Sequence, residues 1–222
     1  MPTLYLTGSS GAFARAVREH YLREGWSVAG FDRTDNDFRH DRFRFYQTDA
    51  LIESSVDVNF QKASTNLGTP QALVATVGGV RPWTPVSDMS LEDFRFLVDL
   101  NLVSFFLAAK YAMKTMKGGG TITSIGALPA LEPSAKKGGY VAAKAGVIAL
   151  TRVLAEEGKS IDINANSIVP TVIHTKSNED WGSPEEIPKW TEPEDIAALC
   201  FYLSSEAGKS INGSVIRMPN RM

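Results

Sequence analysis

Short apolar runs alternate with longer stretches of helical periodicity from one end of this chain to the other, and no other feature constrains its fold as tightly. Thr3–Thr7, Ser27–Phe31, Phe43–Gln47, Ala72–Val77, Thr121–Ile125, Ile161–Val169 and Ser214–Met218 read as strands. Between them Ala12–Glu24, Ser54–Asn66, a long segment from Ser90 to about Met116, Tyr140–Glu157 and a segment opening at Thr191-Glu-Pro-Glu194 read as helices. Gly25 and Gly158 close two of these helices, and Ser90 with Asp93 forms a capping pair for the long one. Strands separated by helices join through crossovers, so the sheet is parallel and must be covered on both faces. The expectation is one doubly wound sheet of about seven strands, with residues 1–222 as a single domain and no repeat or shift in composition marking a second.

With 23 Lys and Arg against 25 Asp and Glu, the net charge of -2 offers no polycationic face for nucleic acid. Cys200 is the single cysteine, which excludes an internal disulfide, and His20, His40 and His174 are too scattered for a metal site. The apolar run Leu4–Leu6 is too short for a signal peptide, and later apolar stretches are broken by Lys, Arg or Gly. A cytoplasmic protein without a membrane span is therefore expected.

Parallel sheets bind ligands beyond the carboxyl ends of their strands, where Gly8–Gly11, Asp32, Asp49, Gly78, Ser124 and Pro170 fall. A glycine turn entering a helix presents backbone N–H groups to a phosphate, and an acid ending the next strand can hold ribose hydroxyls. Gly8 and Asp32 have the order and spacing for that pair, although either could equally serve only as a turn or a strand end. Gly8-Ser-Ser10 also resembles the start of a nucleophile elbow, but Ala12 stands where its last glycine belongs and only His174 could act as a later base. Tyr140-Val-Ala-Ala-Lys144 is more distinctive, because a spacing of four puts phenol and ammonium on one helix face. Bringing a tyrosine toward neutrality takes a shift of about three units, or roughly 4 kcal/mol, which a nearby ammonium helps to supply. Alone, the pair could also be packing.

Considered together, these sites resemble those of the short-chain dehydrogenase/reductase family over nearly the whole chain. Thr7-Gly8-Ser-Ser-Gly11 is similar to its glycine turn, Asn101 in Asp-Leu-Asn-Leu to its helix asparagine, Ser124 in Thr-Ile-Thr-Ser to its strand-end serine, and Tyr140-x-x-x-Lys144 to its active-site signature. The resemblance implies a Rossmann-like fold and hydride transfer between a nicotinamide cofactor and a small carbonyl or secondary alcohol. It makes Tyr140 the general acid/base, Ser124 a hydrogen-bond donor to the reacting oxygen, Lys144 the group that lowers the tyrosine pKa and holds the nicotinamide ribose, and Asn101 the support of a water relay.

The cofactor would be held by Gly8, Ser10, Gly11, Ala12 and Phe13 at the turn, by Asp32 and Arg33 at the adenosine ribose, and by Asp49 and Ala50 at the adenine. Thr76, Gly78, Tyr140, Lys144, Pro170 and Thr175 would complete the contacts toward the nicotinamide, and no metal is implied. Asp32 opposes a 2′-phosphate, so NAD is expected, with NADP made possible by Arg33.

The chain departs from the family pattern in several places. Counted without gaps from Gly8, Ala12 and Ala14 stand for the second and third glycines, and with a one-residue shift Gly11 takes the second place and Ala14 remains the third; Ala75-Thr-Val-Gly-Gly79 replaces an asparagine-rich turn, and Thr171 replaces a glycine after Pro170. Ser124 lies a few residues further from Tyr140 than usual, which points to an insertion over Pro133–Gly139. The lid between Thr175 and Thr191 is short, with Trp181 and Trp190 as pocket or anchor residues. Substrate-facing side chains come from the loops Val80–Pro85, Ala127–Gly139 and His174–Trp190. Rival readings are a dinucleotide-binding sensor without turnover and a structural subunit of the same fold. Phe105, Phe106, Ala109 and Met113, with Ala142, Ala145, Gly146 and Ala149, suggest a helix interface in a homodimer or homotetramer.

Overall fold

The computed structural model describes residues 1–35 and 37–220. Seven strands, β1 (Thr3–Thr7), β2 (Ser27–Asp32), β3 (Phe43–Gln47), β4 (Ala72–Ala75), β5 (Gly120–Ile125), β6 (Ile163–Pro170) and β7 (Val215–Met218), form one sheet in the order β3-β2-β1-β4-β5-β6-β7. Every pairing is parallel. The helices are α1 (Ala12–Arg23), α2 (Glu53–Leu67), α3 (Leu91–Val98), α4 (Ser104–Thr115), α5 (Gly138–Gly158), α6 (Lys176–Glu179) and α7 (Pro193–Ser204).

Alternation along β1 shows how the faces are filled. Leu4 and Leu6 pack with α1 and α7, whereas Tyr5 between them packs with α2, α4 and α5. Both faces are dry, so the inner strands need no polar alternation, as a doubly wound sheet requires. The chain reverses order between β1 and β4, which opens the crevice where such folds bind ligands.

Three local features differ from the sequence expectation. The long helix is broken by a π turn over Asp99–Val103, where the Asn101 side chain donates to Leu97 O (2.9 Å) and so intrudes on the backbone ladder. The Thr191–Glu194 stretch does not cap α7 through a side chain: Glu192 is the N-cap, Pro193 opens the helix, and Glu194 and Asp195 face the positive end of its dipole. Asp162, left-handed at φ 57°, ends the α5 connection and delays β6 to Ile163.

By length and composition Leu91–Thr115 and Gly138–Ile161 could each cross a membrane, contrary to the expectation that apolar stretches are too short. About half of each is instead buried inside the protein, much of it against the sheet.

Candidate active site

At the carboxyl end of β1, Gly8 N and Ser9 N both donate to Phe31 O, at 2.8 and 3.3 Å, which folds the turn against the end of β2. Gly8 has φ +68°, and a Cβ there would lie 2.8 Å from Thr76 Oγ1, so glycine is required on two counts. Thr76 Oγ1 in turn donates to Thr7 O at 2.7 Å, tying β4 to β1 where an amide side chain was expected to be missing.

Gly11 caps α1 without a side-chain bond, and the first turn carries no acid. The amides opening this helix are therefore available to an anion, a cradle that suits a pyrophosphate.

Asp32 ends β2 with its carboxylate fixed from both sides, Ser10 N donating to Oδ2 (3.0 Å) and Arg33 N to Oδ1 (2.7 Å). A cleft of about 320 Å³ collects Gly8, Gly11, Asp32, Arg33, Asp49, Ala50, Thr76 and Gly78. Asp49 Oδ1 accepts from Leu51 N at 2.9 Å and shapes the loop that closes the cleft. The predicted adenosine-side residues are thus brought together, and the donor set fits a dinucleotide. Sequence reading missed Phe96, Leu100, Ser104 and Ala108, which line the far wall. Their spacing of four across the π turn is the signal that could have found them.

Ser10, Gly11, Ala12 and Thr175 meet in a second groove of about 780 Å³ on the other side of the turn. Phe13 lines neither cavity and packs on the α1–α7 core. Pro170 is buried at the end of β6.

Tyr140 and Lys144 rise from the first two turns of α5. Lys144 is 6 % exposed, and its ammonium donates to Ile125 O at 2.8 Å and lies 6.0 Å from the centre of the Tyr140 ring. Burial pulls its pKa down to about 8 and pushes the Tyr140 phenol up to about 12. The shift runs opposite to the expected lowering of the tyrosine toward neutrality, because burial disfavours the charged phenolate.

Gly78 is where the two halves meet. A Cβ on it would stand 2.8 Å from Asn101 Oδ1 and 3.2 Å from Lys144 Nζ. Asn101 itself is locked in a reciprocal amide pair, receiving from Gly79 N (3.1 Å) and donating to Gly79 O (2.9 Å). Its side chain braces the loop after β4 and has no free donor.

Ser124 is not part of this cluster. Its fully buried hydroxyl bonds Thr151 Oγ1 at 2.8 Å, and Thr151 lies about 16 Å beyond Tyr140 along α5 at 1.5 Å per residue. Within β5 its side chain faces the middle of α5 rather than the strand's end. Gly126 and Ala127, the two residues following the strand, carry no hydroxyl.

Trp190 is 2 % exposed and packs beneath Trp181, ring centres 5.1 Å apart, so it anchors the short lid from within. Trp83, in the loop after β4, meets Tyr140 edge to face with centres 6.0 Å apart and was not singled out from the sequence.

A family model described as enoyl-(acyl carrier protein) reductase matches residues 9–218. D-threitol dehydrogenase of Mycolicibacterium smegmatis is 27% identical, over 94% of this chain and 88% of its own. 2-Dehydro-3-deoxy-D-gluconate 5-dehydrogenase of Formosa agariphila is 28% identical, over 77% of this chain and 69% of its own. Among solved structures, a short-chain type dehydrogenase/reductase from Mycobacterium ulcerans superposes with a TM-score of 0.91 at 24% identity, covering 98% of this chain and 88% of that one. A match of this extent, on a fold whose strand ends gather a glycine turn, an acid and a Tyr-Lys pair, places the chain in the short-chain dehydrogenase/reductase family as an NAD(P)-dependent oxidoreductase.

Proposed function

We propose that the protein interconverts a small carbonyl compound and its secondary alcohol at Tyr140, with NAD(H) preferred over NADP(H). The observation that carries this reading is the convergence of Lys144 and Asn101 on Gly78, at the inner end of the cleft that also holds Gly8 and Asp32. The nicotinamide, when bound, supplies or accepts the hydride.

A phenol held up to about 12 keeps its proton at neutral pH, the form needed to protonate a carbonyl oxygen as it becomes an alcohol. Lys144 holds its positive charge 6.0 Å from the centre of that ring and stabilises the phenolate left by proton transfer. Asn101 and Gly79 hold the loop that bounds the site. The fixed Asp32 carboxylate accepts ribose hydroxyls and repels a 2′-phosphate, while the adjacent Arg33 guanidinium reduces the margin.

Tyr140→Phe tests the role directly. The fold should persist and NADH-linked turnover of a carbonyl panel should fall about a hundredfold or more; full turnover in the variant would remove Tyr140 from the chemistry.

One observation favours a second reading, a dinucleotide-binding sensor: the Ser124 hydroxyl is turned toward Thr151 and away from Tyr140. Tight NADH binding with no turnover on any carbonyl would select it.

We also read the protein as cytoplasmic, in keeping with the buried thiol of Cys200, and as a homo-oligomer. Phe105 and Ala109 turn into their own core, contrary to their expected place at an interface, whereas Phe106, Ala142 and Ala149 face outward on α4 and α5. A monomeric mass by light scattering at micromolar protein would exclude that assembly.

A further inference from the structure

The loop after β4 and the start of α5 are joined into one wall. Thr84 N donates to Lys136 O at 3.1 Å, and the Val86 side chain lies where Gly138 has no Cβ, 2.7 Å from the position one would take. On this wall the indole of Trp83 meets the Tyr140 ring with centres 6.0 Å apart and planes inclined at 63°, while the Lys137 ammonium stands 5.0 Å from the centre of the indole.

Lys137 makes no ion pair among the described residues. In the surrounding segments Glu132 pairs with Arg217, Asp93 pairs with Arg81 at 3.6 Å and accepts from Ser90, and Asp88 accepts from Ser87. The first turn of α5 carries no acid that could take their place. An uncommitted cation is therefore held over an aromatic ring that itself touches the reacting phenol.

We propose that Lys137 and Trp83 select a substrate bearing a carboxylate: an oxo acid, or the matching hydroxy acid. This rests on the hydride-transfer reading above and specifies its substrate class. Trp83 supplies a flat apolar surface for the carbon skeleton, and Lys137 supplies the countercharge. Because the ring already restrains the lysine stem, pairing with a carboxylate orders little that was free before. A neutral ketone of the same shape would leave the ammonium unpaired beside an apolar skeleton, which gives discrimination between the two.

Two measurements test the proposal separately from the function. Calorimetry compares benzoate with its neutral isostere benzamide, on the protein alone and with NADH. Benzoate should bind about tenfold more tightly, Lys137→Gln should bring the two within about twofold, and Lys137→Arg should keep the preference. Steady-state kinetics compares 2-, 3- and 4-oxo acids with their methyl esters, and the acid-to-ester ratio of kcat/KM should fall about tenfold in Lys137→Gln but not in the neighbouring Lys136→Gln. No preference for benzoate in the unaltered protein, a preference that survives Lys137→Gln, or an equal loss in Lys136→Gln would overturn the proposal. A benzoate preference that depends on Lys137, in a protein that turns over no oxo compound, would support the anion site and sink the hydride-transfer reading. Equal turnover of acids and esters would do the reverse.

Discussion

The two ends of the cleft are built from different materials. At β1 and β2 the backbone makes the site: Gly8 N and Ser9 N fold onto Phe31 O, and Ser10 N and Arg33 N aim the Asp32 carboxylate. At β4 and β5 the fixing is done by side chains, Lys144 on Ile125 O and Asn101 on Gly79. A backbone site tolerates Ala12 and Ala14 in place of glycines because its donors are amides that any residue carries. A side-chain site has no such reserve, so replacing Lys144 at the β4–β5 end should abolish function where replacing the Asp32 side chain at the β1–β2 end only adjusts it; Gly8, whose backbone conformation and close approach to Thr76 demand glycine, is the exception there.

Lys144→Met is the sharpest way to break that contrast. Removing a buried ammonium whose pKa has been drawn down to about 8 relieves a desolvation cost, so the cofactor-free protein should melt a few degrees higher while turnover falls a hundredfold or more. Calorimetric melting beside kinetics checks both signs at once; lower stability together with retained turnover would make Lys144 a packing residue.

At the other end Asp32→Ala should act by degree. Repulsion between its carboxylate and a 2′-phosphate is about 4 kcal/mol at 4 Å and an effective dielectric of 20, and water at a half-open site leaves roughly half. Titration should find NADH weakened and NADPH strengthened, each about tenfold, with turnover surviving on the preferred cofactor. If NADPH already binds the unaltered protein more tightly, the Asp32 argument fails.

Ser124→Ala separates resemblance from geometry. Thr151 Oγ1 keeps its bond to Val147 O (2.7 Å), so the variant loses one buried hydroxyl pair, about 1 kcal/mol of stability, and its turnover should stay within about twofold. A large kinetic loss would mean the site reorganises to recruit it.

These cases also show what was legible in the sequence. The alternation of strands and helices, the glycine turn, Asp32 and the Tyr140-Lys144 spacing depend on backbone periodicity and on residues with few conformational options, and each could be placed from neighbouring residues alone. Ser124 could not, because a shift of one or two positions at a strand's end decides whether a hydroxyl faces the cleft or a helix. Trp83 was invisible for a related reason: its place against Tyr140 depends on how an irregular loop docks on α5, which carries no period to read. The π turn likewise sits where the Asn101 side chain bonds both Leu97 O in its own helix and Gly79 across the fold, although the helical pattern continues through it.

The smallest effect should come from the lid, outside both ends of the cleft. His174 stands between two carboxylates, Nδ1 at 3.0 Å from Glu192 and Nε2 at 2.8 Å from Glu179. Its backbone N donates to Thr191 O, so the ring links α6 to the segment leading into α7. Hydrogen bonds to Glu192 first and Glu179 second raise its pKa above the ordinary histidine value. A raised folded-state pKa means that the linkage contributes fully below about 6.5, the unfolded value, and is lost as pH rises through the folded one. Once neutral, the ring can donate through only one nitrogen, so one carboxylate must let go. Glu194 and Lys176, which line the same groove, alter the field but offer the ring no replacement bond. Amide exchange over Lys176–Lys189, corrected for the intrinsic rate, should therefore quicken modestly between pH 6 and pH 9. His174→Gln should remove that dependence and leave the segment at its high-pH rate throughout. An exchange rate equally pH-dependent in the variant would mean that the lid is held by Trp190 packing alone, with the histidine contributing nothing to its closure.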